Sequence, residues 1–217
     1  MIHSHTELRF ISEEIGYGLF ATRPIPRGTI TWTLCDLDSI FSPSQISALP
    51  AAYSEILRTY TYIMNDGNFV LCWDLGRFMN HSCNPSTVDV GQDFEVAVRD
   101  INPGKDLTCE YALLHLTETL RCRCSSPICR GIIGPEDIHD LWPEWDVAVE
   151  AVFPRIAEVQ QPLWPFLRDQ EQVMAMLDGK AKIPSNRPNR NLGRLVVPST
   201  RRNLAEAEVT SRTFVGD

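Results

Sequence analysis

The chain has 217 residues, of which 43% are hydrophobic and 22% are charged, and its formal net charge is -8. This length supports one sizeable core and a smaller appendage. The first residues lead into polar sequence and do not form a signal peptide, and no apolar run approaches the roughly 20 residues that span a bilayer. We therefore expect a soluble intracellular protein, in the nucleus or the cytoplasm, with no membrane partner.

The charge is unevenly distributed along the chain. Residues 181–217 contain seven Lys/Arg and three Asp/Glu, a net charge of +4, so the remainder carries -12. An acidic globular part suits a basic substrate and disfavours nucleic acid as its main ligand, although a solvated acidic surface explains the charge equally well. Residues 180–217, rich in Pro, Asn and Arg, are predicted to be a disordered basic tail with at most weak nucleic-acid binding.

Alternating and β-branched residues predict a series of short strands. These strands are Leu8–Ile11, Thr29–Leu34, Phe69–Trp73, Thr87–Val88, Phe94–Val98 and Leu107–Tyr111. Gly16–Ala21 is predicted to be a glycine turn. Its Gly-x-Gly-x-x-Ala spacing suggests dinucleotide binding, but Pro24 and Pro26 prevent the helix that such a site needs. The pattern predicts a mainly β fold without parallel crossovers.

Helical patterns occur in two places. Ser42-Pro43-Ser44 opens a helical stretch in an insert at about 42–70, and Asn65–Asn68 predicts the hairpin turn that ends this insert. Beyond Pro135 we predict three helices in an accessory layer over 133–179. The first begins at Pro135, the second contains Val147, Val149, Val152 and Ile156, and the third covers Gln170–Leu177.

The stretch 77–85 crowds polar and reactive side chains. Arg77, Asn80, His81, Ser82 and Cys83 lie within seven residues. A turn uses Asn, Ser and Pro for backbone reasons but has no need of a His and a Cys as well. We predict that these polar groups converge on a ligand while the cysteine holds a metal. Taken alone, the Asn-His pair also fits an Asx turn with a core histidine.

A second cluster contains three cysteines in eight residues, Cys122, Cys124 and Cys129. Structural zinc is tetrahedral and is bound by thiolate or imidazole, so this spacing predicts a zinc site with one further ligand. A redox role is disfavoured because the Cys-x-x-Cys spacing is absent. The pattern leaves the fourth ligand open. The candidates are Cys72, Cys83, Cys109, His115 and His139.

Four motifs occur in an order that resembles the SET-domain protein lysine methyltransferases with a post-SET zinc segment. They are Gly16-Tyr17-Gly18, the stretch 77–85, the stretch Gly104–Tyr111, and Cys122-Arg123-Cys124 with Cys129-Arg130-Gly131. The resemblance covers roughly residues 6–131. It implies a SET-domain β-clip fold over 6–113, with a pseudoknot between the Asn80-His81 segment and the segment ending at Tyr111. A zinc-bound post-SET loop over 118–132 and a helical C-terminal extension would follow.

The resemblance also implies an activity and a site. The activity is S-adenosylmethionine-dependent methyl transfer to the side-chain amine of lysine in a basic protein, such as a histone. The implied cofactor-binding residues are Gly16, Tyr17, Gly18, Arg77, Asn80, His81 and Tyr111. Tyr111 would also be catalytic, because it would line the transfer channel. The implied ligands of a structural zinc are Cys83, Cys122, Cys124 and Cys129.

Several residues depart from the family pattern. Ser86 stands where the family usually has Asn, Glu110 where it usually has Asp, and Leu34 where many members have Tyr. These departures leave an alternative, a zinc-stapled SET-like interaction module with little or no catalysis. Cys109 stands where a Phe or Tyr often limits the number of methyl groups added. Its smaller side chain predicts di- or trimethylation.

Overall fold

Short strands form most of the regular structure up to residue 133 in the computed structural model, which describes residues 1–188. The strands are β1 (Thr6–Ser12), β2 (Gly16–Ala21), β3 (Ile30–Thr33), β4 (Ser39–Phe41), β5 (Thr61–Ile63), β6 (Phe69–Leu71), β7 (Asn80–His81), β8 (Thr87–Val90), β9 (Phe94–Ala97), β10 (Asp106–Cys109), β11 (Leu120–Arg121) and β12 (Ile132–Ile133). The α-helices are α1 (Pro43–Ala48), α2 (Ser54–Tyr60), α3 (Asp137–Val152) and α4 (Gln170–Leu177). The predicted mainly β fold is confirmed.

One sheet has the order β1-β2-β10-β7 and brings together the sequence motifs. The prediction of a glycine turn at Gly16–Ala21 is wrong, because this segment is strand β2, paired antiparallel with β1 and β10. The prediction of a fold without parallel crossovers is also wrong at one place. Strands β7 and β10 run parallel, with Asn80 opposite Thr108 and His81 opposite Cys109.

A second sheet, β3-β9-β8, separates two hydrophobic clusters. Residues directly opposite each other on antiparallel strands share a face. Ile30, Val88 and Val96 share one face and belong to the cluster that includes the residues of α3. On the other face, Trp32 and Asp89 both lie opposite Glu95. That face is directed toward the cluster that contains Met79, Leu107 and Cys109.

The C-terminal helical region is part of the core, whereas the sequence predicted an accessory layer. Its buried side chains include Trp145, Val149, Val152, Phe153 and Ile156. The Gln161 side chain also bonds the β3 segment, donating to the Gly28 carbonyl at 2.8 Å and accepting from the Ile30 amide at 2.8 Å. The two predicted helices at its start are one continuous helix, α3, followed by a 3₁₀ turn at Phe153–Ala157. The predicted helix Gln170–Leu177 is confirmed as α4.

The insert follows the predicted pattern. Ser42 caps α1 with a reciprocal hydrogen-bond pair to Gln45, and the turn Asn65–Asn68 joins β5 to β6. The predicted tail lies outside the described residues from position 189 onward. Its described part, 180–188, is not disordered, because Asn186 is buried and donates to the Asp89 carbonyl at 3.1 Å. None of the helices within residues 1–188 has the length and apolarity that crossing a membrane requires.

Candidate active site and metal centre

The parallel pairing of β7 with β10 creates the centre of the candidate site. It places the polar segment Asn80-His81 beside the strand that leads to Tyr111. The two segments are about thirty residues apart in sequence, so the contact depends on the tertiary fold. The family resemblance implied a pseudoknot between these two segments. In the structure the two segments meet as the parallel pair of strands β7 and β10, which we call the crossing.

Asn80 connects this crossing to the glycine strand β2. Its side-chain amide donates to the Tyr17 carbonyl at 3.0 Å. A Cβ atom on Gly18 would lie 2.6 Å from that amide nitrogen and 2.7 Å from Cδ1 of Ile11, so the close approach requires glycine. Gly16 precedes it with a φ of 79°, which also favours glycine. The Tyr17 ring is exposed and lies edge-on to Phe10 and Phe78.

His81 links the crossing to the cysteine cluster. Its Nδ1 accepts the Tyr111 amide hydrogen at 3.2 Å, so Nε2 carries the proton and faces Sγ of Cys83 at 3.3 Å. Burial, together with the nearby positive charge of Arg130, lowers the pKa of His81 to about 4. The imidazole is therefore neutral near pH 7. Its 3.4 Å contact with Glu110 is not an ion pair.

Tyr111 points its hydroxyl back into the crossing. The strand that sequence predicted up to this residue ends at Cys109, and Tyr111 begins a 3₁₀ turn. Its phenol donates to the Met79 carbonyl at 3.0 Å. Burial, followed by the nearby Cys109 thiol, raises the pKa of Tyr111 well above its usual value. The phenol is therefore protonated at neutral pH and is a hydrogen-bond donor.

Arg77 makes a different set of contacts from the other predicted cofactor residues. Its guanidinium contacts the Cys72 carbonyl at 3.4 Å and lies 5.3 Å from the centre of the Phe78 ring. Among residues 1–188 it makes no hydrogen bond to Asn80, His81 or the glycine strand. The structure thus brings together six of the seven predicted cofactor residues and leaves Arg77 at the margin.

The four predicted metal ligands converge. The Sγ atoms of Cys83, Cys122, Cys124 and Cys129 all lie within 4.8 Å of one another, and those of Cys83 and Cys122 are 3.7 Å apart. A tetrahedral zinc–thiolate site has Zn–S bonds of about 2.3 Å, which places the sulfurs about 3.8 Å apart. The spacing therefore fits one zinc ion with four protein ligands.

Backbone amides surround this cluster and favour thiolates. The Arg130 amide donates to Sγ of Cys83 at 3.3 Å, and the Gly131 amide donates to Sγ of Cys129 at 3.4 Å. Burial opposes ionisation of Cys124, yet the amides of Cys83 and Ser126 bring its pKa down to about 7. The other candidates for the fourth ligand lie elsewhere. Cys72 and Cys109 are core residues, and His115 contacts Asn65.

An ion pair that sequence reasoning missed joins the cluster to the crossing. Arg130 donates from both terminal nitrogens to Glu110, at 2.8 and 2.9 Å, and the Glu110 side chain is fully buried. Arg130 also lies 3.3 Å from Asp137 at the start of α3. Burial raises the pKa of Glu110, and its hydrogen bonds with Arg130 oppose that rise. The signal in the sequence was the arginine directly after the last cysteine ligand.

A comparison with known protein families identifies the part of the chain that contains this geometry. A family model described as the SET domain matches residues 16–112, the span from the glycine strand to the residue after Tyr111. Residues 16–112 are therefore similar to the SET domain. The matched span includes the β7–β10 crossing and its contacts with β2. The other three predicted metal ligands, Cys122, Cys124 and Cys129, lie beyond it.

Three curated relatives match parts of this chain. Histone-lysine N-methyltransferase ash1 of Drosophila melanogaster is 30% identical over 140 residues, covering 58% of this chain and 6% of the relative. A histone-lysine N-methyltransferase of Mycosarcoma maydis, named as H3 lysine-36 specific, is 26% identical over 65% of this chain and 16% of the relative. Histone-lysine N-methyltransferase ASHR3 of Arabidopsis thaliana is 37% identical over 65 residues, 27% of this chain and 13% of the relative. The aligned parts are thus small fractions of these longer proteins.

Proposed function

We propose that this chain is an S-adenosylmethionine-dependent protein-lysine N-methyltransferase. The observation that carries the proposal is the Tyr111 phenol, held on the Met79 carbonyl beside the β7–β10 crossing. A protein that used this fold only as a scaffold would have no need of an oriented phenol at that place. The histone-lysine N-methyltransferases among the relatives support the same activity.

The residues around the crossing suit the cofactor. Gly16 and Gly18 have no side chains, so a ligand can come close to the backbone of Gly16–Gly18, and Asn80 and His81 present polar groups beside it. S-adenosylmethionine would supply a methyl group on a positively charged sulfonium. Methyl transfer is an in-line displacement, so the main task of these residues is to hold the reacting groups in line.

Tyr111 would position the lysine amine. Its pKa is raised, so the phenol stays protonated and is not a general base. Its proton goes to the Met79 carbonyl, and its oxygen can accept a hydrogen bond from the amine N–H, which leaves the amine lone pair free to attack. A lysine with a reference pKa of about 10.4 must lose a proton before it can attack the methyl group. A desolvated channel next to a positive sulfonium lowers that pKa through burial and like charge.

The cysteine cluster would bind a structural zinc. Four protein ligands leave no open coordination position, which is the property of a structural site and not of a catalytic one. Zinc would tie Cys83, which lies two residues after His81, to the loop that carries the other three ligands. The cluster would thereby fix the polar segment 80–83 in place.

The substrate we propose is a basic protein, with histone H3 as the first candidate. The relatives' names support histones, and the acidic charge of residues 1–180 suits a Lys/Arg-rich segment. Action on histones would place the protein in the nucleus, and action on other basic proteins would be compatible with the cytoplasm.

The test is transfer of a labelled methyl group from S-adenosylmethionine to recombinant histone octamers. We expect labelling by the zinc-loaded wild-type protein and a loss of roughly 100-fold in the Tyr111→Phe variant. Tyr53→Phe, at an exposed tyrosine in the insert, is the matched control and should retain full activity. Calorimetric titration with S-adenosylmethionine distinguishes the enzyme from the alternative of an interaction module. Failure of the zinc-loaded protein to bind S-adenosylmethionine would support that module and overturn the enzyme.

A further inference from the structure

Two carboxylates are buried on the inner face of the β3-β9-β8 sheet. Asp89 on β8 and Glu95 on β9 lie directly opposite each other, and their exposed fractions are 5% and 6%. Trp32 on β3 is opposite Glu95, so all three side chains share one face. The proposed activity uses none of them.

Neither carboxylate has a cationic partner within the described chain. No Lys, Arg or His nitrogen among residues 1–188 lies within 4.0 Å of either one. Glu95 accepts a hydrogen bond from the Thr87 hydroxyl, and Asp89 accepts one from the backbone N–H of Gln92. Buried acids are normally paired with a cation, because removing a charge from water is costly. A pair of buried acids without a cation is therefore suited to receiving one.

Two buried hydrogen-bond donors near the pair also lack partners. The Tyr62 hydroxyl and the indole Nε1 of Trp32 are inaccessible to solvent and make no hydrogen bond within the described residues. The two rings meet edge to face at 5.9 Å, and Trp32 is 6% exposed. Because Trp32 lies opposite Glu95, this ring contact brings Tyr62 to the same side of the sheet as the carboxylates.

These buried polar side chains lie next to the candidate transfer site. The Thr87 hydroxyl that bonds Glu95 also contacts Sδ of Met79 at 3.7 Å and the Thr108 carbonyl at 3.2 Å. The carbonyl of the same Met79 accepts the Tyr111 phenol. Cys109 provides a second link, because it belongs to the same hydrophobic cluster as Trp32, and Tyr111 packs against that cluster.

We propose that Asp89, Glu95 and Tyr62 form the cation-binding end of the channel that receives the target lysine. The assignment rests on the proposed function. The carboxylates would hold the lysine side chain as it arrives in its ammonium form, and the Tyr62 hydroxyl would complete its hydrogen bonds. These residues would determine which acceptor side chains enter, while Tyr111 positions the amine for transfer.

The first test compares Asp89→Asn and Glu95→Gln with Asp93→Asn, which removes an exposed carboxylate from the same hairpin. Loss of one charge-assisted hydrogen bond should raise the KM for histone octamers by roughly tenfold or more, with a smaller change in kcat. Affinity for S-adenosylhomocysteine should stay at the wild-type value. Unchanged KM values in both variants would overturn the proposal.

Thermal unfolding distinguishes this role from a structural one. An uncompensated buried acid costs stability, so the neutral variants should melt at the wild-type temperature or above it. If they instead fail to fold, Tyr62→Phe decides, because it removes a hydroxyl that bonds nothing in the described chain. A raised KM in Tyr62→Phe would support the channel, and a wild-type KM would overturn it.

A binding experiment tests the proposed cation site without requiring methyl transfer. The probe is n-butylammonium, which is the lysine side chain without its backbone, and 1-butanol is the neutral control. We expect calorimetry to show roughly tenfold tighter binding of the cation to the zinc-loaded wild-type protein and no such preference in Asp89→Asn. Equal affinities in the wild type would overturn the proposal. Absence of methyl transfer to any protein would overturn the proposed function alone.

Discussion

Arg130 forms a two-pronged ion pair with Glu110, and its backbone amide contacts the sulfur of Cys83. One residue thus connects the end of β10 with the cysteine cluster. Through Asp137 it also reaches the start of α3. The cluster, the crossing and the C-terminal helix are therefore connected by one arginine, whose side chain is 22% exposed.

Replacing Arg130 with Gln should loosen all three connections. Glu110 would remain buried without its cation, which costs about 3 kcal/mol of unfolding free energy. We expect a lower urea midpoint and faster loss of zinc to a chelator. Arg121→Gln, at an exposed arginine on β11, is the control. Equal midpoints for the two variants would show that the ion pair contributes little.

Gly18→Ala should damage the cofactor site without unfolding the protein. The new methyl group would lie 2.6 Å from the Asn80 amide nitrogen, so the hydrogen bond from Asn80 to Tyr17 must break. Calorimetry should show affinity for S-adenosylmethionine lower by roughly tenfold or more. Gly134→Ala, where the nearest atom is the movable Thr119 hydroxyl at 3.2 Å, should bind the cofactor normally.

Metal analysis should find one zinc per chain, and Cys129→Ser should lower that content. Chelation should reduce methyl transfer because the loop carrying three of the ligands loses its support. Cys35→Ala removes a buried thiol outside the cluster and should leave the zinc content unchanged. Full activity in metal-free protein would argue against a structural role for the ion.

Glu95 should make stability depend on pH. Burial raises its pKa to about 7 from an ordinary value of 4.5, and the Thr87 hydrogen bond opposes the rise. Between these two values the folded protein keeps a proton that the unfolded chain has released. Stability from this group is therefore lost as pH rises through that window, by about 3 kcal/mol in total.

Urea unfolding at about pH 4.5 and about pH 8 measures this effect. The wild-type protein should lose more stability between the two conditions than Glu95→Gln does, since glutamine cannot ionise. The difference between the two proteins isolates Glu95 from histidines that titrate in the same range. Parallel pH profiles would mean that the carboxylate keeps an ordinary pKa.

The small side chain of Cys109 predicts more than one methyl group per lysine. Mass spectrometry of an exhaustively methylated acceptor should show di- or trimethyl product. Cys109→Phe should shift the product toward monomethyl, with some loss of stability because the site is 5% exposed and well packed. Monomethyl product alone from the wild-type protein would contradict the prediction.

Local sequence patterns predicted the elements that depend on interactions between residues close together in the chain. Strand alternation located β3, β6 and β9, and the turn Asn65–Asn68 was predicted from its residues alone. The close spacing of Cys122, Cys124 and Cys129 predicted a cluster of cysteines that could hold a metal in the same way. The joint order of the motifs indicated the family, which no single motif did.

The features that sequence missed depend on distant partners. The sequence of Gly16–Ala21 predicts a turn because glycine disfavours strands. Pairing with β1 and β10 nevertheless makes this segment a strand. The continuity of α3 comes from packing against the sheet, and the pairing of Arg130 with Glu110 spans twenty residues. Asp89 and Glu95 lie within strands, and only the register of these strands determines which face of the sheet their side chains occupy.

The burial of α3 against β8 and β9 has a consequence for how the chain is made. The strands are synthesised well before Asp137–Val152, and until that helix leaves the ribosome their apolar face has no cover. Val88, Val90 and Phe94 would meanwhile be open to aggregation or to chaperones. We therefore expect residues 16–112 to complete their folding only with sequence that lies beyond them, and a ribosome stalled near residue 133 would hold an unfinished core.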